Sequence, residues 1–306
     1  MSEPVAPEEI RVPVEGGELA ALYWAADAPS APLVVLVHGI TANAAAWTAV
    51  GAALAGEHEV VAVDLRGRGG SAEVPGVYGL QAHADDVTAV LDAYGADREG
   101  GANAAVLVGH SMGGFVAALA AAGPARDLVH GLVLVDGGLQ LAVPPAGDVD
   151  AMLAAVLGPS LERLDLRFAD LDDARAWWAQ HPAVGPWLED PAVDAYVQRD
   201  LVPSGDGLRS AVVDRAVRVD GGEVLLDEMV REASASLPVP ATLLWATRGL
   251  LGESPGLYDE VRLAGLGLEP AGITAVEVPD TDHFSVLWSP QGVTAITDTV
   301  PAAVTR

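Results

Sequence analysis

The sequence predicts an α/β chain, a doubly wound and mostly parallel sheet interrupted by one helical insert. Three observations carry that reading. Six short apolar runs, at residues 33–37, 59–63, 105–108, 132–135, 241–245 and 273–278, have the character of strands covered on both faces. Between them lie segments with apolar residues at helical spacing, such as Leu80, Ala84, Val87, Leu91 and Tyr94, so strands and helices alternate as right-handed crossovers require. The alternation breaks once, between Leu139 and Leu237, where no strand run of that quality occurs.

Taken in order, residues 10–14 and 19–24 flank Glu15-Gly16-Gly17 and read as an antiparallel hairpin ahead of the parallel strands. The segment 139–237 is too long for a loop and carries helical patterns at 150–157, 171–179 and 192–199. The chain therefore divides into a core of residues 1–138 and 238–306 and a helical cap of residues 139–237. That cap holds Trp177, Trp178 and Trp187, three of the seven tryptophans. Their indoles either pack the insert onto the sheet or line an apolar pocket where the two parts meet.

Composition narrows the function. The 306 residues suffice for a large core plus an insertion. A formal net charge of -27, with every cationic side chain an arginine, disfavours nucleic acid and anionic membranes as partners and leaves a small-molecule substrate. The absence of cysteine excludes disulfides, thiolate metal sites and a cysteine nucleophile. The acidic, proline-rich start lacks the basic and apolar regions of a signal peptide, and no apolar run approaches the ~18 residues of a membrane span. A cytoplasmic location is expected. Oligomeric state is not legible.

Chemistry enters at Gly109-His110-Ser111-Met112-Gly113, between a buried strand run and a helix-forming stretch. A strand that turns sharply into a helix leaves the middle residue at the apex with its hydroxyl exposed, which makes Ser111 a candidate nucleophile. A serine needs a base within hydrogen-bond reach, itself oriented by an acid. Of seven histidines, His283 lies just past the last strand run and after the insert, as the chain order of serine, acid and base demands. His38 and His110 belong to strand-end loops, whereas His58, His83, His130 and His181 read as solvated surface residues.

With these motifs in place, the chain resembles an α/β-hydrolase-fold serine hydrolase of the cap-bearing, esterase or lactonase-like type. Beyond the elbow, the resemblance rests on Val37-His38-Gly39-Ile40-Thr41 and on the turn from Asp64 to Ser71. It implies an oxyanion hole formed by the Ile40 and Met112 amides. The acid departs from the commoner family pattern, because Gly249 stands where the carboxylate after strand 241–245 is expected. Asp136, at the end of the preceding strand run, is the favoured acid, and Glu253 is the alternative.

The implied reaction is hydrolysis of a neutral, apolar carboxylic ester or lactone, with Trp177, Trp178, Trp187 and Phe284 as candidate substrate contacts. The same triad serves C–C bond or amide hydrolysis, and a slow or non-catalytic ligand-binding module is a further alternative. No cofactor is expected. Asp280 and Asp282 beside His283 are too few to hold a metal.

Overall fold

The computed structural model describes residues 5–96, 105–141, 148–268 and 271–304. Its strands are β1 (Glu8–Val14), β2 (Gly17–Trp24), β3 (Leu33–Val37), β4 (Glu59–Val63), β5 (Ala105–His110), β6 (Val129–Val135), β7 (Leu201–Ser204), β8 (Gly207–Ser210), β9 (Ala241–Ala246) and β10 (Ile273–Val278). Eight of them form one sheet in the order β1-β2-β4-β3-β5-β6-β9-β10. β1 and β2 pair antiparallel, β2 pairs antiparallel with β4, and every pairing from β4 to β10 is parallel. All five residues of β3 and all six of β5 are buried, which is why their sequences carry no polar face.

The helices are α1 (Thr48–Leu54), α2 (Leu80–Ala93), α3 (Met112–Ala122), α4 (Val149–Leu157), α5 (Pro159–Glu162), α6 (Leu171–Trp178), α7 (Pro191–Arg199), α8 (Asp214–Leu226), α9 (Glu228–Ala235), α10 (Glu260–Gly265) and α11 (Pro290–Val304). The crossover from β3 through α1 to β4 runs one way along the sheet, and the crossover from β4 through α2 to β5 runs the other. The strand order thus reverses between β3 and β5. In open α/β sheets the crevice beyond the carboxyl ends of two such strands is the natural ligand site. No helix among the described residues is long and apolar enough to cross a membrane.

The region between β6 and β9 differs from expectation in one respect: it is not purely helical. The hairpin of β7 and β8 interrupts it. Helices α4, α6 and α7 fall within a residue or two of their predicted bounds, whereas α8 carries Gly221 and Gly222 among β-branched valines and leaves little propensity signal.

An aromatic cycle docks this region on the core. Phe284, Trp288, Tyr196, Trp178 and His181 pack in sequence with ring centroids 6.0, 5.6, 5.8 and 5.7 Å apart, and His181 returns to Phe284 at 5.3 Å. His58, His83 and His181 are buried, contrary to the solvated role their neighbours in sequence suggest. Each sits on the inward side of an amphipathic or linking segment, and His83 Nε2 lies 2.9 Å from the Asp220 carboxylate.

Candidate active site

The site is built from four strand ends. At the end of β5, Ser111 adopts φ 53° and ψ -123°, a conformation that costs a non-glycine residue of order 1–3 kcal/mol and persists because its surroundings leave no alternative. Those surroundings are glycines. A Cβ on Gly109 would lie 2.2 Å from the Gly113 carbonyl oxygen, and one on Gly113 would lie 2.1 Å from that of Val37. The Ser111 N–H donates to the Val135 carbonyl at 3.0 Å, and α3 begins at the next residue.

At the end of β6, Asp136 is wholly buried at φ 44°. Its N–H donates to the Leu244 carbonyl at 2.8 Å, and its Oδ1 accepts the Ala246 N–H at 3.1 Å. The other oxygen, Oδ2, lies 2.6 Å from His283 Nδ1. A carboxylate at that distance holds the ring hydrogen on Nδ1 and leaves the Nε2 lone pair free to act as a base. Glu253, by contrast, is exposed and accepts the Leu251 N–H at 2.8 Å within its own loop, so the structure does not bring it to His283. A carboxylate on a strand end is directed by the sheet, whereas Glu253 satisfies its own turn.

His283 follows β10 in a tight turn. The Asp282 carboxylate accepts the N–H groups of Phe284 and Ser285 at 3.0 and 2.8 Å. The His283 carbonyl accepts a hydrogen bond from His110 Nε2 at 2.8 Å, and the two imidazoles stand 4.6 Å apart. Burial holds His110 well below the usual imidazole range. It therefore stays neutral and places no positive charge beside His283.

The end of β3 supplies the remaining wall. Burial lowers His38 to about 3, so it too is neutral. Its Nε2 accepts the Leu65 N–H at 3.0 Å, which leaves the hydrogen on Nδ1 to donate to the Gly39 carbonyl at 2.7 Å. The Gly39 carbonyl and the Ile40 N–H belong to one peptide plane and point in opposite directions. Ile40 and Met112 both border the cavity that contains Ser111 and His283.

That cavity spans about 490 Å³, part of it open to solvent, and is almost wholly apolar. The core contributes Ile40, Met112, Phe115 and Leu250, and the region between β6 and β9 contributes Leu153, Val156, Leu157, Val224 and Leu225. A smaller annex of about 320 Å³ shares Ser111 and His283 and adds Thr41, Ser160 and Phe284. Phe284 is thus at the site. Trp177, Trp178 and Trp187 are not among the residues lining either space, because their faces are taken up in docking: Trp178 lies in the aromatic cycle, Trp177 packs on Phe168 at 6.4 Å, and Trp187 is packed against the core. The aliphatic residues of α4 and α8 that replace them were not singled out from sequence. Their amphipathic spacing was the available signal, but it does not separate a cavity wall from a packed face.

The sequence matches the Alpha/beta hydrolase family over residues 34–296. Among curated proteins, the 2-(acetamidomethylene)succinate hydrolase of Mesorhizobium japonicum is 26% identical over 274 residues, 89% of this chain and 89% of that one. The crystal structure of E-2-(acetamidomethylene)succinate hydrolase superposes with a TM-score of 0.75 at 23% identity, covering 96% of this chain and 99% of the other. A thioesterase domain from the curacin biosynthetic pathway follows at 0.71 and 20% identity, covering 97% and 100%. At those identities the structural likeness speaks to the fold.

Proposed function

The chain belongs to the alpha/beta hydrolase family, and on that premise we propose that it hydrolyses a neutral, apolar carboxylic ester or lactone through an acyl-enzyme. The observation that carries this reading is the convergence of Ser111, His283 and the Asp136 carboxylate on one apolar cavity, with Asp136 Oδ2 2.6 Å from His283 Nδ1. Ser111 Oγ gives its proton to His283 Nε2 as it bonds to the substrate carbonyl carbon. The carbonyl oxygen takes up negative charge against the Ile40 and Met112 N–H groups, each such donor being worth about 10²–10³ in rate. The bond to the leaving oxygen then breaks as Nε2 returns the proton to it, and water repeats the sequence to free the acid.

Substrate polarity follows from the walls. Among the described residues, none of the sixteen around the main cavity is an arginine, and the insert as a whole carries 18 acidic residues against 8 arginines. The relative's name specifies a succinate, a dicarboxylate, which a cavity without a cation would bind poorly. The same relative's acetamido group makes amide hydrolysis the second reading, since the triad serves both bonds. In either case the insert acts as a cap, with Leu153, Val156, Leu157, Val224 and Leu225 facing the cavity.

Labelling with a fluorophosphonate probe, alongside turnover of p-nitrophenyl esters and matched anilides, tests this. We expect stoichiometric labelling that Ser111→Ala abolishes, and faster ester than anilide turnover. Absence of labelling in a folded protein would sink the serine hydrolase reading.

A further inference from the structure

Residues 39–44 carry the Ile40 N–H, and four of the contacts that hold them lead to the insert. Arg163, fully buried, donates from Nη2 to the Thr41 carbonyl at 2.9 Å. Its Nη1 pairs with Asp200 and lies 3.3 Å from Ser210 Oγ, and its guanidinium sits 4.9 Å over the Trp178 ring. Arg68, also fully buried, donates from Nε to the Ile40 carbonyl at 3.0 Å and pairs at 2.5 Å with Asp220 of α8. Asn43 Nδ2 donates to the Tyr196 carbonyl at 3.0 Å. Asp64 accepts the Ala44 N–H at 2.7 Å while paired at 2.7 Å with Arg199. Arg163, Tyr196, Arg199 and Asp220 all lie between β6 and β9.

Buried ion pairs are a weak source of stability, because desolvation offsets their attraction and apolar residues of similar volume often serve as well. What a guanidinium adds is rigid, directional donation to several partners at once. Here that donation is aimed at two consecutive carbonyls, 40 and 41. We propose that Arg163 is a positioning residue for the oxyanion hole: by holding the Thr41 carbonyl to the insert, two peptide units beyond the one that carries the Ile40 N–H, it restrains the far side of a turn whose near side His38 holds through the Gly39 carbonyl. The hole is then complete only when the insert is seated, with Arg68 and Asp220 restraining the neighbouring carbonyl. This inference rests on the hydrolase reading above.

The test compares the wild type with Arg163→Met/Asp200→Leu, which removes the pair without stranding a charge, and with Arg163→Lys. Hydrogen exchange of peptides spanning residues 38–47 reports the loop without any need for turnover, and p-nitrophenyl butyrate reports kcat and KM. In the double variant we expect faster exchange confined to this loop and kcat lower by about 10–100-fold, with KM within about twofold. Arg163→Lys, which keeps the charge but loses the fork, should fall between. Unchanged loop exchange, or faster exchange with kcat intact, overturns the proposal. Should the wild type neither hydrolyse the ester nor take the fluorophosphonate, the hydrolase reading fails, and unchanged or faster loop exchange still decides against or for the clamp.

Discussion

On the sheet wall of the cavity, Ser111, Asp136 and Ile40 are aimed by backbone: strand ends, a positive-φ turn at two of the three, and glycines that let chains approach. On the insert wall, the aliphatic residues of α4 and α8 are themselves unremarkable, and their placement depends on buried ion pairs and the aromatic cycle beneath them. Steric constraint tolerates almost no substitution but needs no charge. The electrostatic attachment tolerates apolar replacement of a whole pair, yet fails when one partner is removed. On the reading proposed above, the sheet carries the chemistry and the insert governs whether that chemistry is assembled.

The largest effect separating the two walls is expected at Asp136. Asp136→Asn keeps an oxygen for the Ala246 N–H but no longer holds the hydrogen on His283 Nδ1. A wrong tautomer in a comparable triad lowers kcat by about 10⁴-fold. Steady-state turnover of a p-nitrophenyl ester measures it, and Glu253→Gln should stay within about twofold of wild type. The reverse pattern would return the acid to the loop and remove the contrast between a sheet-aimed and a flexible carboxylate.

Asp220→Ala addresses the insert wall. It leaves the Arg68 guanidinium buried without its carboxylate, and takes acceptors from the Gly79 N–H and from His83. Removing one member of a buried pair costs about 3–5 kcal/mol. Denaturant unfolding reads the loss directly. A cost below about 1 kcal/mol, the level of an exposed pair, would mean that the insert is not held by its buried charges.

These two walls were unequally legible. The runs at 33–37, 59–63 and 273–278 coincide with β3, β4 and β10 to the residue. β3 and β4 are covered on both faces and so apolar, whereas β10 is the edge strand, with Thr274, Val276 and Glu277 exposed, and is not covered on both faces as its sequence suggests. Ser111, His283 and Asp136, the side chains that the structure gathers at one cavity, can be singled out from chain order and strand-end position. The insert was readable only as helices of about the right length. Arg163, Arg68 and Asp220 look in sequence like any solvated charges, since nothing local records that a distant carbonyl will need a donor. The same blindness makes His83 and His181 read as surface residues and leaves the tryptophans divided between docking and pocket: pairing and docking partners lie across the fold, beyond the reach of periodicity.

The smallest effect is a pH dependence that marks where the insert meets the catalytic turn. Burial lowers His181 to about 4, with the Asp282 charge raising it and Arg163 lowering it. An unfolded chain binds a proton at this residue below its ordinary value near 6.5. Between pH 6.5 and 4 the unfolded state therefore holds more protons than the folded one. The contribution of His181 to stability rises with pH across that window and is flat above it. His38, lowered to about 3 by burial, extends the same slope on the sheet side. His181→Asn retains an acceptor for the Ala183 N–H, which His181 Nδ1 accepts at 3.3 Å, but cannot titrate. Its Tm should fall less than that of the wild type between pH 7.5 and 4.5, by a few degrees. Identical slopes would assign the acid sensitivity to the sheet wall alone and leave the aromatic cycle a packing device with no electrostatic share.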